Sequence, residues 1–227
     1  MTKVFFDTEF TGLHQKTTLI SIGFVSEHGE TFYAELSDYD KSQVDDWINK
    51  NVIENLFLSH PNVNGNMNFT NVALNPYTKH TEVTGTTEFV KYCLTDWFGR
   101  FEKVEIWSDC LAYDWVLFNQ IFGHAFNIPK NVYYIPFDIC TLFTDRSIDP
   151  DISREIFAFD FEGDFDIDYR FPKNGNKHNS LWDAYVIRAC YNKLLQMNPT
   201  QPSTTLQDQE KNNKEDNSVK SVDSGLG

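Results

Sequence analysis

Basic residues are scarce in this chain. Across 227 residues it carries 19 Lys and Arg against 33 Asp and Glu, a formal net charge of −14. A surface so poor in cations does not coat nucleic acid broadly, because that mode of binding relies on Lys and Arg to neutralise phosphates. A cleft that takes a few nucleotides with the help of metal ions is still allowed. Cysteines are also few: Cys93, Cys110, Cys140 and Cys190, with no CxxC pair and apolar residues close to each. That pattern predicts buried free thiols in a reducing compartment. No apolar run approaches the ~20 residues that a membrane helix needs. No signal peptide precedes the first apolar run, since Lys3 to Phe6 leads straight into acidic residues. The expectation is a soluble, cytoplasmic protein with no membrane partner. Aromatic residues are missing altogether from Pro199 to Gly227. A segment that polar buries too little apolar surface to offset its ordering entropy, so residues 199–227 are expected to be a disordered tail. The tail carries three Lys and five acidic residues, or −2, which leaves −12 for residues 1–198.

What remains is enough for one packed domain, residues 1–198, in a chain that is 41% hydrophobic. Lys3 to Asp7, Thr18 to Val25 and Glu30 to Leu36 are short runs rich in β-formers, with His28-Gly29 as a turn. They predict an antiparallel meander. Asp40 begins a helical stretch with Val44, Trp47, Ile48, Val52 and Ile53 near one face, and residues 59–86, rich in Asn, Thr and Gly, read as a long loop, with or without a hairpin. Thr87 to Phe101 has a helical apolar face, Val104 to Trp107 is a fourth strand, and Ala112 to Phe122 is a helix stopped by Gly123. Tyr133 to Phe137 is a fifth strand despite Pro136, Asp138 caps a further helix, and Ser180 to Gln196 is a long final one. The order describes an α/β fold, a mixed five-stranded sheet flanked by helices. Residues 149–168 hold eight acidic residues against one Arg, with Phe157, Phe159, Phe161 and Phe165 between them. They read as an insertion whose rings pack down while the acids face water.

Three local signals carry chemistry. In Phe6-Asp7-Thr8-Glu9-Phe10, side chains alternate across a strand, so Asp7 and Glu9 point to one side. Two carboxylates held together repel unless a cation lies between them, and hard oxygen ligands suit Mg²⁺ or Mn²⁺. Taken alone, the pair reads as solvated acids at a strand end. Asp114 lies in the first turn of the helix after strand four, where a carboxylate also serves the helix terminus. Asp109 nearby reads as a loop or capping residue. His178 precedes the final helix, and Asp183 lies in its first turn. An imidazole of near-neutral pKa suits proton abstraction from water.

Taken in order, D-x-E on the first strand, Asp114 on a middle helix and His178 five positions before Asp183 resemble the DEDD superfamily of 3′–5′ exonucleases, in the branch with a His as fifth residue. The stretches VFFDTEFTGL, LISIGFV, EIWSDCLAYDWVLFNQIFG and KHNSLWDAYVIRACYNKL look most like the small exoribonucleases of the ribonuclease AS type. The resemblance covers most of residues 3 to 196 and departs at 59–86 and 149–168. It implies a ribonuclease H-like fold and an active site of two divalent metal ions, Mg²⁺ or Mn²⁺. Asp7 would bridge them, Glu9 and Asp183 would complete one shell, and Asp114 would hold the other ion. His178 would deprotonate the attacking water, releasing nucleoside 5′-monophosphates from the 3′ end of single-stranded RNA or DNA, with RNA favoured because the relatives act on it. Relatives often pair, so a homodimer is implied as well. Phe10, Thr11, Gly12 and Leu13 follow the acidic pair and are expected near the terminal nucleotide, with Phe10 equally suited to core packing. Trp115 is a candidate stacking surface. Two other readings stay open at this point: a non-catalytic binding or inhibitory protein on the same fold, and a hydrolase of small or cyclic phosphoesters.

Overall fold

The computed structural model describes residues 1–58, 79–159 and 176–197. The expected tail, most of the Asn-rich stretch and the latter half of the acidic stretch lie outside the described residues. Strands β1 (Thr2–Phe10), β2 (Leu19–Ser26) and β3 (Thr31–Leu36) form the expected antiparallel meander. Gly29, at φ 89°, makes the tight β2–β3 turn. The helical stretch after Asp40 is broken into single turns around a short helix, α1 (Asp46–Asn51), which Asp45 caps by accepting from the Ile48 N–H at 2.8 Å. Then come β4 (His80–Gly85), α2 (Thr87–Phe98), β5 (Val104–Ser108), α3 (Asp114–Ile121), β6 (Phe137–Asp138), α4 (Ile139–Asp145), α5 (Arg154–Phe159) and α6 (Ser180–Gln196).

The sheet has six strands among the described residues, in the order β4-β3-β2-β1-β5-β6, and not five. The extra strand, β4, lies in the stretch read as loop and pairs parallel with β3. It is an edge strand, and only Thr81 and Val83 are buried, so it offers no apolar run to read. At the other edge, the strand expected at Tyr133–Phe137 shrinks to Phe137–Asp138, which pairs parallel with β5. Pro136 has no N–H to give a ladder, and upstream of it only Val132 bridges to Val104.

Alternation along β1 assigns the two faces. Val4 and Phe6 join Phe24, Trp97, Phe98 and Phe118 in a core beneath α2 and α3. Phe5 joins Val25, Tyr33, Leu181 and Ile187 in a second core beneath α6. Asp7 and Glu9 share the parity of Phe5, so they face α6. Phe157 packs into that second core, stacking edge-on against Phe143 at 4.8 Å, as expected for the start of the acidic stretch.

Candidate active site

β1 outruns its parallel neighbour. Its pairing with β5 ends at Phe5↔Trp107, so the far half of β1 has one bare edge. There the backbone N–H of Thr8 donates to Asp114 Oδ1 at 3.2 Å, and the Thr8 hydroxyl donates to the same oxygen. Asp114 opens α3 and is buried. The bare edge thus finds its partner in a carboxylate, which α3 thereby brings to the end of the strand carrying Asp7 and Glu9.

The fourth carboxylate arrives through a close approach of α6 to the sheet. Gly23 lies opposite Asp7, and a Cβ there would overlap the backbone of Ser180 and Leu181. Ser21, opposite Glu9, meets the Ser180 hydroxyl at 3.0 Å. An isolated glycine in an apolar strand is the signal for such contact, and sequence reading passed over it. The N-terminus of α6 therefore sits on the β1–β2 pair, and Asp183 in its first turn points at Asp7 and Glu9. Gly23→Ala is expected to lower stability at the upper end of the about 1–3 kcal/mol typical of overpacking, seen as a lower thermal midpoint.

His178 precedes α6 with φ 64°, the left-handed region that side chains rarely adopt. Its backbone N–H donates to Asp183 Oδ2 at 3.0 Å, and its ring meets Trp47 edge-on at 5.2 Å. One ligand atom from each of Glu9, His178 and Asp183 lies within 4.8 Å of the others, a spacing at which a single divalent cation can touch all three. These groups share a cleft of about 1040 Å³ with Asp7 and Asp114.

Of the expected contacts, Phe10, Gly12 and Leu13 line this cleft, and the Phe10 ring stacks on Tyr113 at 5.4 Å. Thr11 and Trp115 do not. The Thr11 hydroxyl is turned towards Thr17, Thr18 and Gln43, and the Trp115 ring lies flat on Phe118 at 5.0 Å. Three further features escaped the sequence. Trp47, placed by helical spacing on one face with Val44, Ile48, Val52 and Ile53, is 56% exposed and lines the cleft. The start of the acidic stretch, Pro150 to Glu155, forms part of the cleft wall. Asp109 lies in a loop, as one of its two readings had it, and its carboxylate pairs with Arg154 Nε at 2.8 Å, a partner the sequence did not show, while Asp138 caps α4 as expected. Among the cysteines, Cys93 and Cys190 are buried, but Cys110 is exposed at the rim; all four are free.

Burial and mutual repulsion act together on the carboxylates. The Asp7 carboxyl is held well above the usual range by burial and then by Asp114, Asp183 and Glu9. Glu9 is raised by burial, then by Asp183 and Asp114. Asp183 is raised by burial, against the pull of the His178 N–H. Burial pushes Asp114 up to about 6, although its bonds to Thr8 oppose this. His178 moves down, because burial and Lys177 disfavour its charged form. A carboxyl raised on folding binds more protons in the native than in the unfolded state, so its stabilising effect is full below pH ~4 and is lost as pH rises through the folded value. Metal-free protein is therefore expected to lose stability between about pH 4 and 7. Added Mn²⁺ should restore it most at the upper end, as thermal midpoints across that range would show.

The fold matches that of a DEDDh nuclease: the nuclease domain of 3′hExo, solved bound to rAMP, aligns with a TM-score of 0.52 and 15% identity over 86% of this chain and 92% of that one. The model of the 3′–5′ exoribonuclease Rv2179c-like domain matches residues 2–195. The chain belongs to that family. The 3′–5′ exoribonuclease Rv2179c of Mycobacterium tuberculosis H37Rv is 26% identical over 145 residues, covering 63% of this chain and 75% of the relative. The matching protein of strain CDC 1551 agrees to the same extent. The chain is thus an enzyme of the 3′–5′ exonuclease class. No helix among the described residues is long and apolar enough to cross a membrane.

Proposed function

We propose that this enzyme removes nucleotides from the 3′ end of single-stranded RNA, releasing nucleoside 5′-monophosphates by a two-metal reaction with His178 as general base. The observation that carries the reading is the convergence of Asp7, Glu9, Asp114 and Asp183, whose mutual charge is tolerable only when protons or cations offset it. Asp7, central to the four, is suited to share two ions, with Glu9 and Asp183 on one and Asp114 on the other. When bound, a pair of Mg²⁺ or Mn²⁺ ions supplies charge stabilisation to the attacking and leaving oxygens of an in-line displacement. His178 takes the proton of the attacking water, a task that its lowered pKa favours by keeping the ring neutral at physiological pH. Leu13, 77% exposed at the cleft, and the Phe10–Tyr113 stack offer apolar surface to the terminal base. RNA is preferred over DNA on the strength of the family. The four free thiols fit a reducing, cytoplasmic setting.

Digestion of matched RNA and DNA oligonucleotides, with free and blocked 3′ ends and with Mn²⁺ or EDTA, tests this reading. Stepwise Mn²⁺-dependent shortening of RNA from free 3′ ends only is expected. Equal trimming of blocked ends, or trimming in EDTA, would overturn it.

A further inference from the structure

Hydrogen bonds from Asn55, outside the cleft, hold the chain on both sides of His178. Asn55, in the turn after α1, donates from Nδ2 to the Lys177 carbonyl at 3.0 Å. Its own carbonyl accepts from Asn179 Nδ2 at 2.9 Å and from Asn176 Nδ2 at 3.2 Å. Asn179, fully buried, also donates to the Tyr33 hydroxyl at 3.1 Å, while its Oδ1 caps α6 by accepting from the Leu181 and Trp182 N–H groups. Tyr33 in turn donates to the buried Glu35 at 2.9 Å, and Glu35 accepts from the Leu58 N–H at 2.7 Å. The segment from Trp47 to Leu58 is thereby tied to residues 176–179 at several points, and Trp47 adds its edge to the imidazole.

A non-glycine residue at positive φ persists only where its surroundings over-determine it. This network is that over-determination, since every described neighbour of His178 from 176 to 179 has a partner on Asn55. Satisfied buried polar networks specify one arrangement, and here the arrangement specified is the direction of a ring that must meet a water molecule. We infer that Asn55 is a positioning residue for the His178 imidazole: its side chain acts through the Lys177 carbonyl, the bond that Asn55→Ala removes, while its main-chain carbonyl holds Asn176 and Asn179 with or without that substitution. This rests on the reading of His178 as general base.

The test is a double-mutant cycle on a single-stranded RNA 3′ end in saturating Mn²⁺, comparing wild type, Asn55→Ala, His178→Ala and the double variant. Asn55→Ala is expected to lower kcat about 10- to 100-fold, the scale of a small misplacement of a reacting group. KM and the Mn²⁺-induced thermal shift should stay within twofold of wild type. Once the ring is gone its direction no longer matters, so the double variant should be no slower than His178→Ala alone. If Asn55→Ala does not fold, Asn176→Ala, which removes one bond to the Asn55 carbonyl, takes its place in the cycle. A double variant that loses the product of both effects overturns the inference, as does wild-type kcat in the single variant. Full activity in His178→Ala would instead sink the base assignment, and the inference with it.

Discussion

Replacing Asp7 with Asn is expected to end 3′-end trimming while making the metal-free protein harder to unfold. The two effects share one cause. Asp7 sits half-buried among Asp114, Asp183 and Glu9, and each of them raises its cost of ionisation. Asn keeps the shape and removes the charge, so the neighbours repel less in the absence of cations. A gain on the order of 1 kcal/mol would raise the thermal midpoint by about 2–4 °C in a chain of this length. In the proposed two-ion site the same change removes the shared ligand, and a loss of several kcal/mol of transition-state stabilisation corresponds to at least about 10³-fold in rate. Initial rates on an RNA 3′ end and melting curves in EDTA check both halves. A variant that trims like wild type would remove Asp7 from the chemistry. One that melts earlier in EDTA would show that the cluster is not strained by its own charge.

His178→Ala is expected to lower kcat about 10²- to 10⁴-fold, the usual contribution of a positioned general base. The imidazole also lies within reach of a cation held by Glu9 and Asp183, so a ligand role has to be told apart. With all four carboxylates intact, the Mn²⁺-induced thermal shift should survive the substitution, and a lost shift would mean that the ring is a ligand first. The pH profile gives a second check. On the proposed role the neutral ring is the active form, and burial holds the His178 pKa below its ordinary value. Activity should therefore persist to pH below ~6.5 and fall as acid protonates the ring. That limb should vanish in the variant.

The sequence announces this site better than it announces the sheet around it. Asp7 and Glu9 are legible because the period of a strand puts alternate residues on one face, and the long helix from Ser180 is legible from its length and apolar content. Long-range packing is not written locally. Gly23 reads as one small residue in an apolar run until α6 is seen lying on it. Trp47 fits the apolar face of a helix by spacing, but that helix is only six residues long and turns the ring to the cleft. β4 shows no pattern because an edge strand with two buried residues needs none. The start of the acidic stretch looks like decoration by composition, and long-range contacts such as the Asp109–Arg154 pair and the bond from Trp182 Nε1 to Glu155 at 2.9 Å make it part of the cleft wall.

That wall has a consequence for how the enzyme responds to salt. Among the described residues lining the cleft, Arg154 is already engaged by Asp109, and Lys177 is the other side chain with a permanent positive charge. Substrate held by these described residues is expected to displace few condensed counterions, so its affinity should change only shallowly with ionic strength, with a log–log slope of about −1 to −2. Proteins that grip nucleic acid through many phosphate contacts let go as salt rises; this one should keep working on ends that they have released.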